Sequence, residues 1–203
     1  VTAGADRTPD TIAAVVTVPQ AIPRDGNVLT VYADATNTGR VYGSDATYST
    51  ARSTGVASSV AGLVGQVYVG ATYYCDELFL EFDTSAIPDG AAITTAVLSL
   101  YGKTNEDATG FNVIAALRDY GSTLETGDYV AGASLSALTT VASFASSGFT
   151  TSGYNDFVDV ALPANVDKTG VTRLILYSDR QAAGTTPTGF ERLEFFLANE
   201  AGT

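Results

Sequence analysis

Between Glu77 and Phe82 the chain alternates: Leu78, Leu80 and Phe82 fall on one side of an extended backbone, and Glu77, Phe79 and Glu81 on the other. Period-two alternation marks a strand of a sheet with one face buried, so the two glutamates are expected to face solvent. Pro88, Asp89 and Gly90 follow as turn chemistry, since proline fixes φ and Asp-Gly tolerates a reversal. The alternation then resumes with Ala96, Leu98 and Leu100 on one side. The same rhythm runs through "NVLTVYADA", where Val28, Thr30 and Tyr32 oppose Leu29 and Val31, and strand character returns in "RVYG" and "GQVYVGATYYC". Further strands are predicted at 111–118, 156–162, 171–178 and 192–198. The stretch between Thr123 and Asn155 lacks phase; "GASLSALTTVASF" has the length for a helical turn, but its Thr, Val and Ser content argues for mostly irregular structure. About eight to ten strands separated by turn signals, with no alternating helices, give an all-β fold: an antiparallel β-sandwich of the jelly-roll type.

The first 27 residues read differently. One apolar stretch, Ile12 to Val18, is fenced by Pro9, Pro19 and Pro23, which permits a short strand and discourages a long helix. Residues 1–27 are therefore expected to be an N-terminal arm or connector with one short strand, and residues 28–203 the sandwich domain.

Composition narrows the chemistry. The 203 residues carry a formal net charge of −12, which repels phosphate backbones and anionic membrane surfaces, so nucleic-acid binding is not expected, and no apolar run approaches the ~20 residues of a membrane span, so membrane insertion is not expected either. There is no histidine, which excludes Ser-His-Asp and Cys-His mechanisms and removes the commonest transition-metal ligand. The single cysteine, Cys75, leaves no intrachain disulfide and reads as a buried free thiol. The chain begins at Val1 and contains no Met, which suits a processed chain or a piece of a longer one.

Candidate sites fall into three sets. Tyr42, Tyr48, Tyr68, Tyr73, Tyr74, Tyr120, Tyr129 and Tyr154 sit in or beside loops, and aromatic faces on a rigid β-scaffold can stack on sugar rings. All but Tyr68 are taken as candidate ligand contacts. Asp34, Asn37 and Asp45 in the loops "DATNTG" and "GSDATY" are candidate calcium ligands, calcium being the one cofactor the oxygen-rich loops suggest. A lyase-like set can be drawn from Tyr73, Tyr74 and Arg118, but nothing in their spacing demands it, and no catalytic residue is assigned. Glu77 and Glu81, about 14 Å apart along one strand, are poorly placed as a glycosidase pair.

The segment Asp76 to Tyr101 resembles the disaggregatase-related (DNRLRE) family, which is carbohydrate-binding-module-like. The matching residues are Leu78, Leu80, Phe82, Asp83, Ile87, Pro88, Gly90, Ala91, Ile93, Ala96, Leu98, Leu100 and Tyr101. The loop "VYGSDATYSTARS" and the segment "GVTRLILYSD" are weaker echoes. The resemblance implies a jelly-roll sandwich of extracellular or phage structural proteins that binds polysaccharide or mediates attachment. Its members usually add one more strand after a segment like "FFLANEAGT", so the domain is expected to lack its last strand, or to have that place filled by Ile12–Val18 of the same or a neighbouring copy. The expected function is thus a non-enzymatic attachment or decoration module of a virion or cell-surface assembly, with surface glycan, a neighbouring structural protein or a second copy as partner. The alternatives are a self-assembling fibre or filament subunit using the N-terminal arm, and a polysaccharide-degrading enzyme.

Overall fold

A computed structural model of the chain describes residues 13–18 and 27–197. These residues form thirteen strands: β1 (Ala13–Val18), β2 (Asn27–Tyr32), β3 (Gly39–Asp45), β4 (Ala57–Ser59), β5 (Gly62–Val69), β6 (Thr72–Asp83), β7 (Thr95–Asp107), β8 (Asn112–Leu117), β9 (Thr140–Ala145), β10 (Tyr154–Asp156), β11 (Val158–Asp159), β12 (Val171–Ser178) and β13 (Phe190–Phe195). Four short helices lie between them: α1 (Tyr48–Ala51), α2 (Gly132–Leu135), α3 (Leu162–Asn165) and α4 (Asp179–Ala183). The fold is all-β and antiparallel throughout, and its sheet wraps nearly into a barrel.

Two long strands turn the corners. On one side of β6 lies β3; on the other lies β5 along Thr72–Asp76 and then β12 along Leu78–Asp83. The strand β7 pairs with β1 along its first residues and with β13 along Gly102–Asp107. The hydrogen-bonded path therefore runs β11-β9-β8-β12-β6-β5-β13-β7-β1-β2, with β10 beside β7 and β3-β4 beside β6.

The alternation seen in the sequence sets the main core. Leu78, Leu80 and Phe82 of β6 meet Ala96, Leu98 and Leu100 of β7, with Leu174 and Leu176 of β12 and Phe195 of β13. Full burial of a Leu or Phe side chain contributes about 1.5–3 kcal/mol each, and these residues are at most 1 % exposed. Leu29 and Val31 pack on this core, while Val28 and Tyr32 point outward, as the alternation of β2 requires.

A second apolar cluster lies on the opposite face of the same sheet. Phe79 of β6, Ala116 of β8, and Ile175 and Tyr177 of β12 are covered by Tyr120, Val130 and Leu135 from the connection between β8 and β9. This connection corrects the expectation that Glu77 and Glu81 face solvent. Glu77 is fully buried beneath it, and Glu81 is half-buried against Arg173 and Asn37. The connection is irregular as expected, with one turn of helix at α2, but β9 is a regular strand that weak phase concealed.

Three other expectations change. The predicted strand at 156–162 is split, because β10 pairs with β7 while β11 pairs with β9, and Leu162 then opens α3, whose first turn holds Pro163. The strand count exceeds the expected range chiefly through the two- and three-residue pieces β4, β10 and β11. Ala13–Val18 lies within the sheet, between β2 and β7, so the arm strand fills a place in its own chain. Residues 198–203, where a closing strand was in question, lie outside the described residues.

Candidate functional site

One row of residues crosses five strands. Tyr42 on β3 pairs across from Asp76 on β6, Asp76 from Gly65 on β5, Gly65 from Arg192 on β13, and Arg192 from Glu106 on β7. Laterally aligned residues of an antiparallel sheet share a face. Gly65, without a side chain, leaves the row open at its middle, and Arg192 spans it. Its guanidinium reaches Glu106 Oε2 at 2.5 Å in one direction and Asp76 Oδ2 at 3.6 Å in the other. Gly65 itself sits at φ +125°, and a Cβ there would stand 2.3 Å from the Glu191 carbonyl oxygen, so the position is closed to other residues.

Asp76 is the floor of this arrangement. It is fully buried on the core-facing register of β6, two residues before Leu78. Burial pushes its carboxyl pKa up, and Arg40 and Arg192 oppose that shift. Arg40 Nη1 donates to Asp76 Oδ1 at 2.9 Å and Nε donates to Ser59 Oγ at 3.2 Å. The same guanidinium lies 4.2 Å from the centroid of the Tyr42 ring.

The neighbouring row adds aromatic surface. Tyr74 and Phe190 flank Val67 on adjacent strands, and Tyr74 stands 6.3 Å from Tyr42, centroid to centroid. Arg192 lies 5.8 Å from the Phe190 ring, and Phe190 is 38 % exposed. Tyr42, Tyr74, Arg40 and Arg192 are half-buried. The result is a strip of partly exposed rings and guanidiniums held by the buried Asp76 and the partly exposed Glu106. Chemically it offers aromatic faces for C–H surfaces and directed donors for hydroxyl or carbonyl oxygens.

The other candidate tyrosines go elsewhere. Tyr73 stacks on Tyr68 at 4.4 Å and meets Tyr48 at 5.5 Å, near the β5–β6 turn at Gly70 and Ala71. Tyr48 is buried, and its hydroxyl donates to Gln66 Oε1 at 2.7 Å. Tyr120 is buried edge-on against Phe79 and donates to the Asn37 carbonyl. Tyr129 donates to the Ala51 carbonyl and accepts from Gln181 Nε2. Burial raises the phenol pKa of Tyr48, Tyr120 and Tyr129 alike, and in these three the ring caps the core. Tyr154 packs edge-on against Tyr101 at 5.1 Å, away from the strip.

Asp34, Asn37 and Asp45 are not brought to one place. Asp34 Oδ1 accepts the backbone N–H groups of Thr36 and Asn37, an Asx turn leading into β3. Asn37 is buried and donates to Glu81 Oε2 and to the Gly121 carbonyl. Asp45 ends β3, six residues beyond Gly39, and its Oδ1 accepts from Thr47 N–H. The strand between separates the two ends by about 20 Å. No group of three or more His, Cys, Asp or Glu that could hold a metal occurs among the described residues. The lyase-like set is also dispersed: Arg118 N–H donates to the Arg173 carbonyl, and Arg173 pairs across from Glu81, about 24 Å along β6 from Tyr74.

Sequence reasoning named Tyr42 and Tyr74 but missed Arg40, Asp76, Arg192, Glu106 and Phe190. One signal was available: Asp76 shares the parity of Leu78, Leu80 and Phe82, and a carboxylate on a core-facing register needs a cationic partner. No described helix is long and apolar enough to cross a membrane. No protein-family model matches the chain, and neither a curated protein nor a solved structure matches it.

Proposed function

We propose that this chain is a non-enzymatic attachment or decoration module, displayed on a virion or cell surface, that binds surface glycan through the strip of Tyr42, Tyr74, Phe190, Arg40 and Arg192. The observation that carries the reading is the five-strand row, in which a buried aspartate and an exposed-side glutamate fix two guanidiniums beside three aromatic rings. Sugar sites pair ring faces with a few well-placed polar groups, and a site whose groups are held in advance loses less entropy on binding. Two guanidiniums stand against Asp76 and Glu106, so the strip is electrically balanced and suits a neutral glycan. The likeness of residues 76–101 to the disaggregatase-related family points the same way.

A glycan array probed with the full chain tests this. The expected result is saturable binding to a neutral glycan, weakened at least about tenfold by Tyr42→Ala or Tyr74→Ala while the near-ultraviolet circular dichroism is kept. Absence of saturable binding across neutral glycans would end the proposal.

A second reading, assembly into a fibre or filament, is favoured by the edge strand β2. Among the described strands it ends the sheet path, and its outward residues Val28 and Tyr32 are 62 % and 46 % exposed. An open edge with apolar side chains invites pairing with another chain. Sedimentation velocity should then show concentration-dependent polymers that Val28→Lys suppresses; a monomer at all concentrations removes this reading.

A further inference from the structure

The 203 residues include no Met, Trp or His, and the single cysteine, Cys75, is fully buried. These four side chains compete with tyrosine for oxidants, and a thiol shut away from solvent is slow to react. Oxidising equivalents that reach this chain are therefore left to its tyrosines. The buried ones are guarded. Tyr48, Tyr120 and Tyr177 each donate their hydroxyl to a fixed acceptor: Gln66 Oε1, the Asn37 carbonyl and the Leu135 carbonyl. A phenol gives up its proton when it is oxidised, so a phenol beside water reacts before one sealed in a core.

Two of the remaining tyrosines are placed to react with each other. The strand β5 ends at Val69 and β6 starts at Thr72, so Gly70 and Ala71 alone make the turn. Both have positive φ, +60° and +63°, as in the two-residue hairpin turn whose twist matches the flanking strands. Such a turn fixes the register, and Tyr68 stands directly across from Tyr73. Their ring centroids are 4.4 Å apart with 30° between the planes, the closest aromatic pair among the described residues. Tyr68 is 37 % exposed and Tyr73 half-buried, so water reaches the pair and the rings have room to turn. The other tyrosine pairs are less suited. Tyr42 and Tyr74 stand 6.3 Å apart, Tyr101 meets Tyr154 edge-on at 81°, and Tyr48, 5.5 Å from Tyr73, is the buried ring tied to Gln66.

We infer that Tyr68 and Tyr73 form an oxidative cross-linking site, which hydrogen peroxide and a haem peroxidase convert to a dityrosine within one chain. Each phenol loses one electron and its hydroxyl proton and becomes a phenoxyl radical. Rotation about χ1 and χ2 brings two ortho carbons together, and the radicals form one carbon–carbon bond between them. Each of those carbons then releases its hydrogen as a proton, each oxygen takes one up, and two phenols are restored. One hydrogen peroxide accepts the two electrons and two protons and leaves as two waters. The protein loses two hydrogen atoms and gains one bond across the hairpin. That bond joins β5 to β6 at the pair beside Val67 and Tyr74, so it ties down the strands next to the aromatic strip without altering a strip residue. The site does not depend on glycan binding.

The test exposes the full chain to a haem peroxidase with hydrogen peroxide and reads the monomer fraction by intact mass and by dityrosine fluorescence. The expected product is a monomer lighter by two hydrogens and fluorescent, with the link mapped by peptide mass spectrometry to Tyr68 and Tyr73. Tyr68→Phe and Tyr73→Phe should each abolish the monomer fluorescence, and Tyr154→Phe should keep it. A non-fluorescent monomer of unchanged mass, a link between other tyrosines, cross-links only between chains, or full monomer fluorescence in either folded variant would each overturn the assignment. Should a variant fail to fold, the peptide map of the unaltered chain decides alone.

Discussion

Replacing Glu77 with glutamine should flatten the dependence of stability on pH. Glu77 lies fully buried, where Oε2 accepts the Val130 N–H at 2.9 Å and Oε1 accepts Gln181 Nε2 at 3.0 Å. Burial raises its pKa well above the usual carboxylate range; the Val130 and Gln181 hydrogen bonds and the Arg118 charge pull it down, and Asp76 pushes it further up. The folded state therefore keeps the Glu77 proton to a higher pH than the unfolded chain does. Its contribution to stability is full below the unfolded value near 4.5 and is lost as pH rises through the folded value. Within that window each pH unit removes about 1.4 kcal/mol. Glutamine has no proton to lose, and its amide can donate to Gln181 Oε1, which is buried without a partner. Urea unfolding of both proteins from pH 4 to pH 8 reads the difference. Repulsion among the remaining carboxylates is shared and cancels. Glu77→Gln should gain on the original chain by about 1.4 kcal/mol per pH unit above pH 5, until Glu77 ionises in the folded state. Glu77→Ala, which strands two buried donors, should lose about 3–5 kcal/mol. Parallel stability curves for the original chain and Glu77→Gln would refute the buried, protonated glutamate.

Two further outcomes follow from single positions. Gly65→Ala should lower stability by about 3 kcal/mol or more, read as a fall in thermal midpoint, because the added Cβ meets the Glu191 carbonyl oxygen and φ is +125°; a variant as stable as the original would show that β13 can move away. Cys75 is buried and its thiol pKa is raised, by burial first and then by Asp76 and Glu77, so a thiol reagent at pH 8 should react only after denaturant is added; fast labelling of the folded protein would contradict that burial.

The strands were legible because alternation is local. Leu78, Leu80 and Phe82, Leu29 and Val31, and the whole of Val171–Ser178 lie where their own neighbours in sequence place them. The strip was half legible. Tyr42 and Tyr74 stand out as aromatic residues, but Arg40, Arg192 and Glu106 become their neighbours only through pairings between strands far apart in sequence, such as Gly65 with Arg192. No local pattern encodes such a register, because each strand is compatible with several partners until turns and bulges fix one. The candidate calcium residues are dispersed for the converse reason: two loops alike in composition are held at opposite ends of one strand.

Glu77 and Glu81 show where the argument from alternation stops. Alternation assigns residues to two faces but leaves open what covers each face. With one face taken as buried, alternation alone puts Glu77, Phe79 and Glu81 toward solvent. Phe79, fully buried between them, weighs more than either charge. A large ring at the centre of an exposed face would leave apolar area in water, whereas a carboxylate can be taken inside if donors are supplied. The β8–β9 connection supplies both parts of that exchange. Tyr120, Val130 and Leu135 cover Phe79, and the Val130 N–H meets Glu77. On the other strand ends, Asn37 and Arg173 meet Glu81. The same connection gives the sheet its second buried face. A long segment of small and polar residues with scattered Tyr, Val and Leu is therefore the physical complement of a strand whose outer face reads charge, ring, charge.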